Sequence, residues 1–167
     1  MSSHLILIAG ISRSGKSSLA SELARGLQNA IHLEQDQFVL PETYIPKIED
    51  RIDWERPESI DWLKWHQTIS EALKSYRFII AEGIFAFNDL KLIQRASATI
   101  ELLIKKDQFL RRRKNEVRWG KEPEWFLEHV WEAHLKYHNP HAISPTLQLN
   151  NYSAQDIDLV IRHIQSF

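Results

Sequence analysis

Two kinds of hydrophobic pattern alternate along the chain. "HLILIAG" (4–10) is a continuous apolar run closed by Gly10, the pattern of a strand buried on both faces. From Lys16 the period changes. Leu19, Leu23 and Leu27 recur every four residues with Ala20 and Ala24 beside them, which predicts an amphipathic helix. "AIHLEQD" (30–36) predicts a second, short strand. Residues 37–58 carry Pro41, Pro46 and Pro57 and are expected to be irregular. A helix is expected from Ser59, with Ser59 as its N-cap. Trp62, Trp65, Ile69, Ala72 and Leu73 would form its buried face, so the aromatic stripe Trp62, Trp65 and Ile69 reads as core. "YRFIIAEG" (76–83) and "ATIELLI" (98–104) predict a third and a fourth strand. Residues 107–118 read as a strongly basic helix, broken at "GKEP" (120–123) before another helix over 124–137. Pro140 and Pro145 end that region. "TLQLN" (146–150) and "SAQDIDLVIRHIQ" (153–165) complete the series as a strand and a helix N-capped by Ser153.

Strands alternating with helices predict an α/β fold: about five parallel strands flanked by helices on both faces. Neither repeat nor linker divides the chain, so residues 1–167 read as a single domain. Parallel sheets bind ligands beyond the carboxyl ends of their strands. That rim receives Gly10 to Ser17, Asp36 and Glu82, because each follows a predicted strand directly.

Composition narrows the partners. The net charge of −1 gives no general attraction to nucleic acid or to an anionic membrane. The absence of cysteine excludes disulfides, thiolate nucleophiles and cysteine-bound metal. The first residues, "MSSHLILIAG", have no basic leader, and no apolar run reaches spanning length. A cytoplasmic location is expected, as a monomer or homodimer.

The stretch Gly10 to Ser17 matches G-x-x-x-x-G-K-[ST] in full, through Gly10, Gly15, Lys16 and Ser17. Glycines let successive backbone N–H groups turn inward on phosphate oxygens, and the following helix adds its N-terminal partial charge. Ser12, Arg13, Ser14 and Ser18 complete this candidate nucleotide cradle. Lys16 would reach the β- and γ-phosphates, and Ser17 would bind Mg²⁺. An apolar strand before the loop and an amphipathic helix after it are the context this reading requires. The expected ligand is ATP with Mg²⁺.

A switch GTPase would need an Asp-x-x-Gly and an Asn/Thr-Lys-x-Asp. The nearest stretches, "AEGI" (81–84) and "IKKD" (104–107), lack the residues that matter. A motor ATPase would need a longer chain. A small-molecule kinase needs an acid at the rim, an acceptor pocket and a basic lid. Asp36, at the end of "LEQD", could accept a hydroxyl proton or hold that hydroxyl in line; taken alone it fits a turn aspartate equally well. Glu82 could hold Mg²⁺ or act as base, or cap a helix. Which of Asp36 and Glu82 is the base stays open. "RRRK" (111–114), Arg118 and Lys121 could place guanidinium groups on a transferring phosphoryl, or form a solvated basic face.

"GISRSGKSS", "EQDQF", "IDWERPESID", "IIAEGIFAF", "RRRKNEVRWGK" and "HVWEAHLKYH" together resemble the uridine kinase and nicotinamide riboside kinase group over roughly residues 5 to 141. The last of these looks closer to the nicotinamide riboside kinases. The resemblance implies a P-loop NTPase fold with a helical lid at about 111–128. It implies a Mg-ATP-dependent phosphotransferase acting on the 5′-hydroxyl of a ribonucleoside-like acceptor, uridine/cytidine or nicotinamide riboside. It places Asp36 at that hydroxyl, Asp53 at the ribose diol, Glu82 after the third strand, and Arg113 and Arg118 in the lid. Phe38, Tyr44 and Trp54 become candidates to stack on the base, though each fits a core position as well. Asn151 lies in the 150–152 stretch where the family passes adenine. The compact segment from Phe38 to Asp53 leaves little room for the hairpin that uridine kinases carry. Two rival readings remain: a kinase of another small alcohol such as pantothenate or a sugar, and a nucleotide-binding regulatory module with little turnover. His129, His134, His138 and His141 cluster late in the chain. They read as hydrogen-bonded or exposed side chains rather than metal ligands, with one of them at the acceptor pocket.

Overall fold

The alternating pattern folds as five parallel strands in the computed structural model, which describes residues 2–116 and 120–167. In chain order the strands are β1 (His4–Gly10), β2 (Ala30–Glu34), the two-residue β3 (Lys47–Ile48) and β4 (Arg51–Ile52), β5 (Phe78–Gly83), β6 (Ala98–Leu103) and β7 (Leu147–Asn150). The main sheet runs β2-β5-β1-β6-β7 with every pairing parallel. The helices are α1 (Lys16–Gly26), α2 (Trp62–Ser75), α3 (Leu90–Arg95), α4 (Lys106–Lys114), α5 (Glu124–Tyr137) and α6 (Ala154–Gln165).

β1 is central because its run Leu5 to Ile8 is fully buried on both faces. Alternate residues feed two cores. Leu5 and Leu7 join Trp65, Ile69, Phe38 and Phe87 on the α2 side. Ile6 and Ile8 join Leu19, Leu23, Val160 and Ile164 under α1 and α6. A third cluster of Ile11, Phe109, Phe126 and Val130 seats α4 and α5 beside the phosphate loop. The register sets Glu82 opposite both Ile8 and Glu34, so β1, β2 and β5 end together. The three rim segments are level for that reason.

Several local expectations change. α2 starts at Trp62, and its N-cap is Asp61, which accepts from the Lys64 N–H at 3.0 Å. Ser59 is buried instead and donates to the carbonyls of Trp54 and Arg56. The cause lies in tertiary pairing: Leu40 N–H bonds Ser59 O, and Asp61 N–H bonds Phe38 O. This fixes Ser59 at the end of a tight Pro57–Ser59 turn and holds Ile60 extended beside Val39. β5 begins at Phe78, two residues late, and α4 ends at Lys114. α3, capped by Asp89, was not foreseen, because six residues are too few for a clear period. β3 and β4 make a short antiparallel hairpin inside the compact 38–53 segment, where none was expected. Ser153 does cap α6, in a reciprocal box with Asp156.

Gly83 follows Glu82 where β5 meets the Gln35–Phe38 turn. A Cβ there would lie 2.5 Å from Gln35 Cβ and closer still to its Oε1. Gln35 is buried and accepts the Phe85 N–H at 3.0 Å. Gly83→Ala is therefore expected to destabilise the protein by about 1–3 kcal/mol, read by urea unfolding, through displacement of the turn that carries Asp36. Unchanged stability would refute the tight packing.

Candidate active site

The phosphate loop has the backbone its sequence demands. Gly10, Arg13 and Gly15 all have positive φ, at 155°, 66° and 102°. A Cβ on Gly10 would meet Leu102 O and Ser14 Oγ, each at 2.8 Å. Ser14 Oγ is buried and has no hydrogen-bond partner among the described residues. Buried hydroxyls are seldom left unpaired, so the loop fits an oxyanion ligand. Lys16 is buried and donates to the Ile11 carbonyl at 3.1 Å, inside the loop it would serve. Tyr152 donates its hydroxyl to Gly15 O at 2.9 Å and pins the loop from the far side. Ser12 takes part through Arg113, whereas Ser18 is exposed at the start of α1. Arg13 turns outward to pair with Glu116 at 2.7 Å. Asn151, also at positive φ, accepts from Arg112 at 3.3 Å.

Ser17 Oγ donates to Glu82 Oε1 at 2.6 Å. Burial works against the charge on Glu82, but the His32 imidazole, Lys16 and the Ser17 hydroxyl outweigh it and hold its carboxyl below the ordinary value. His32 Nε2 stands 3.7 Å away, at ion-pair rather than hydrogen-bond distance. A hydroxyl and an ionised carboxylate side by side are a donor set suited to a hard cation.

Asp36 sits on the open rim in the turn after β2, and its carboxylate takes no hydrogen bond or ion pair among the described residues. Its packed surroundings raise its carboxyl; Glu82 and Glu34 add to the rise, while Lys16 and Arg113 oppose it.

Asp53 is buried, and its backbone N–H donates to Pro46 O. Its Oδ1 meets His129 Nε2 of α5 at 2.8 Å. Glu55, two residues on, is also buried, and its carboxyl is pushed up to about 7 by burial, with Asp53 and Asp36 adding to the rise and Arg113 and His129 opposing it. His134 and His138 line one narrow cavity with Glu55, Ile11, Ile84, Phe85 and Ala133. Burial, with the charges of His138 and Lys16, lowers His134 to about 3, so it is neutral. His141 is exposed and bonds Asn88 O. Among the described residues no cluster of three or more acids and histidines is arranged to hold a metal ion by itself.

Arg113 lies between lid and loop. Its Nε and Nη2 engage Glu122 at 2.6 and 2.9 Å, and its Nη1 reaches Ser12 Oγ at 2.8 Å. Burial opposes its charge, but Glu122, Glu55 and Glu116 more than compensate. Arg118, the other expected lid arginine, lies outside the described residues.

The aromatic candidates separate. Phe38 is core, packed edge-on against Trp65 at 5.0 Å between centroids, so it has no face to offer a base. Tyr44 is 75% exposed and stands alone on its turn. Trp54 is half-buried next to Asp53. Glu55 and Glu122 were not expected here, and His129 was expected only as one of four histidines with one at the acceptor pocket. Glu55 sits in "DWERPES", whose charges read as a solvated loop. His129 and Glu122 are identified by partners 76 and 9 residues away in sequence. No local spacing carries either pairing.

No protein-family model matches the chain. Nicotinamide riboside kinase 1 of Homo sapiens is 29% identical over 154 residues, covering 82% of this chain and 77% of that protein. A gluconokinase from Sinorhizobium meliloti aligns with a TM-score of 0.58 at 20% identity over 99% of this chain and 91% of that one. A possible uridine kinase from Bacillus stearothermophilus aligns with a TM-score of 0.55 at 15% identity, covering 89% of each chain. The solved structures establish the fold, that of the P-loop kinases. With the phosphate loop and the curated relatives, they make this chain a P-loop kinase of the small-molecule type.

Proposed function

We propose that the chain transfers the γ-phosphoryl of ATP to the 5′-hydroxyl of a ribonucleoside-like acceptor, nicotinamide riboside foremost. One observation carries the reading. The carboxylate of Asp36 takes no hydrogen bond or ion pair among the described residues, in the turn just after β2, whose end is level with Glu82 and its Ser17 partner at the phosphate loop. Likeness to the nicotinamide riboside kinases over most of the chain favours that acceptor over a sugar.

Phosphoryl transfer to an alcohol asks the protein mainly for position and charge. The loop's N–H groups, Ser14 and Lys16 would hold the donor phosphates. Ser17 and Glu82 would hold Mg²⁺, which supplies neutralising charge on those phosphates. Asp36 would orient the attacking hydroxyl and take its proton. Asp53, fixed by His129, would accept both protons of a cis-diol. Arg113 would stabilise the transferring group after exchanging its Glu122 partner.

The test is coupled ADP release with Mg-ATP against nicotinamide riboside, uridine, cytidine, adenosine, pantothenate and ribose. Turnover on a riboside at least about tenfold above that on pantothenate or ribose is expected. Preference for pantothenate or free ribose would overturn the acceptor, and tight ATP binding without turnover would favour a regulatory module.

A further inference from the structure

β2 carries a polar ring on a face that otherwise packs apolar side chains. Side chains two apart on a strand share a face. Ala30, His32 and Glu34 therefore rise from the same side of β2, and Ala30 packs there into the core beneath α1. The register sets His32 opposite Ile80, a member of that core, and Glu34 opposite Glu82. The imidazole thus lies one step behind the Glu82 carboxylate. Its Nε2 is buried and has no hydrogen-bond partner among the described residues. A buried ring nitrogen left in this way costs stability. It stands 3.7 Å from Glu82 Oε1, just beyond hydrogen-bond reach. An ionised carboxylate only accepts, so the nitrogen that faces it carries the proton.

Glu82 itself has few restraints. Among the described residues its carboxylate meets only His32 and Ser17, which donates to Oε1 at 2.6 Å. Lys16 is turned to the Ile11 carbonyl instead. Oε2 takes neither hydrogen bond nor ion pair among the described residues and is not sealed from solvent. One oxygen is tethered on the His32 side, and the other is left to face a cation.

We infer that His32 is a positioning residue for the Mg²⁺ site: its Nε2–H backs the Glu82 carboxylate and fixes the plane in which that carboxylate meets the cation. The inference rests on the proposed Mg²⁺ site at Ser17 and Glu82 and adds a residue to it. Mg²⁺ tolerates little departure from octahedral geometry. A glutamate held by one hydroxyl can swing about that bond, and a second donor behind it removes the freedom. Loss of such a partner behind a ligating carboxylate typically weakens metal binding by about 10–100-fold.

ADP is the probe, titrated by calorimetry in EDTA and over a series of Mg²⁺ concentrations, with no acceptor present. His32→Phe keeps a ring and removes the donor. His32→Gln supplies an amide N–H at similar reach. In the wild type Mg²⁺ should tighten ADP binding. His32→Phe should need about tenfold more Mg²⁺ for the same gain, with ADP affinity in EDTA within about threefold of wild type. His32→Gln should stay within about threefold of the wild-type Mg²⁺ requirement. His32→Phe should also melt no lower than wild type, because an unpartnered buried nitrogen is removed. If the phenyl ring is not accommodated, His32→Leu, smaller and equally without a donor, carries the same expectations. A purely structural role would lower the melting temperature and weaken ADP binding equally with and without Mg²⁺, and that result would overturn the assignment. So would an unchanged Mg²⁺ requirement in His32→Phe, or the same loss in His32→Gln. Indifference of wild-type ADP binding to Mg²⁺ would overturn the metal site and His32 with it. The shifted Mg²⁺ requirement without turnover on any riboside would sink the acceptor reading and leave His32 assigned.

Discussion

Asp36→Asn is expected to lower turnover by about 10³-fold while leaving the affinity for a non-hydrolysable ATP analogue within about threefold. Asparagine keeps the size of the side chain and can still touch a hydroxyl, but it cannot take the proton. The carboxylate lies outside the phosphate loop, so the donor should bind as before. Desolvation by the loops packed around its rim position raises Asp36, helped by Glu82 and Glu34, and this makes it a better base than an ordinary aspartate. The base must be ionised to work. Activity should therefore fall with acidification through a pKa above the usual aspartate range, and that limb should vanish in the variant. A loss smaller than about tenfold, with the limb unchanged, would move the proton-accepting role to Glu82.

Arg113→Ala carries the other large effect, about 10³-fold in turnover. Arg113 already reaches the loop at Ser12, 2.8 Å away, so a small shift would bring its guanidinium onto a phosphoryl. The bidentate pair with Glu122 complicates the measurement. Both side chains are largely buried, at 13% and 8% exposed, so removing the arginine strands a carboxylate and costs stability, about 3 kcal/mol. A second variant separates the effects. Glu122→Gln breaks the pair but keeps the cation, and should retain turnover within about fivefold. The double variant Arg113→Ala/Glu122→Gln should regain much of the stability and none of the activity. If the double variant recovered turnover, Arg113 would be a structural clamp and nothing more.

The phosphate loop was readable in the sequence because its determinants are local. Four residues within eight, flanked by an apolar run and a four-residue period, suffice to place a turn of backbone N–H groups. The sheet was readable for a similar reason: the apolar runs end at Gly10, Asp36 and Glu82, and parallel pairing brings those ends level. What escaped is non-local. Asp61 replaces Ser59 as cap because Phe38 and Leu40, about twenty residues earlier, bond Asp61 and Ser59 and hold Ile60 extended between a tight turn and the helix. Phe38 reads as a stacking candidate until Trp65 is found against it. His129 reads as one of four bland histidines until α5 lays it on Asp53. Glu55 gave no signal, since an acid among Arg56, Glu58 and Asp53 has the composition of a solvated loop. Only its burial in the fold distinguishes it.

The central claim is that this site places phosphate on a primary riboside hydroxyl. Phosphorus NMR of the product formed from nicotinamide riboside and Mg-ATP tests it most directly. The account predicts ADP together with a monoester resonance split into a triplet by the two 5′ protons, absent with Asp36→Asn. A doublet from a secondary hydroxyl, or inorganic phosphate as the only new species, would contradict it.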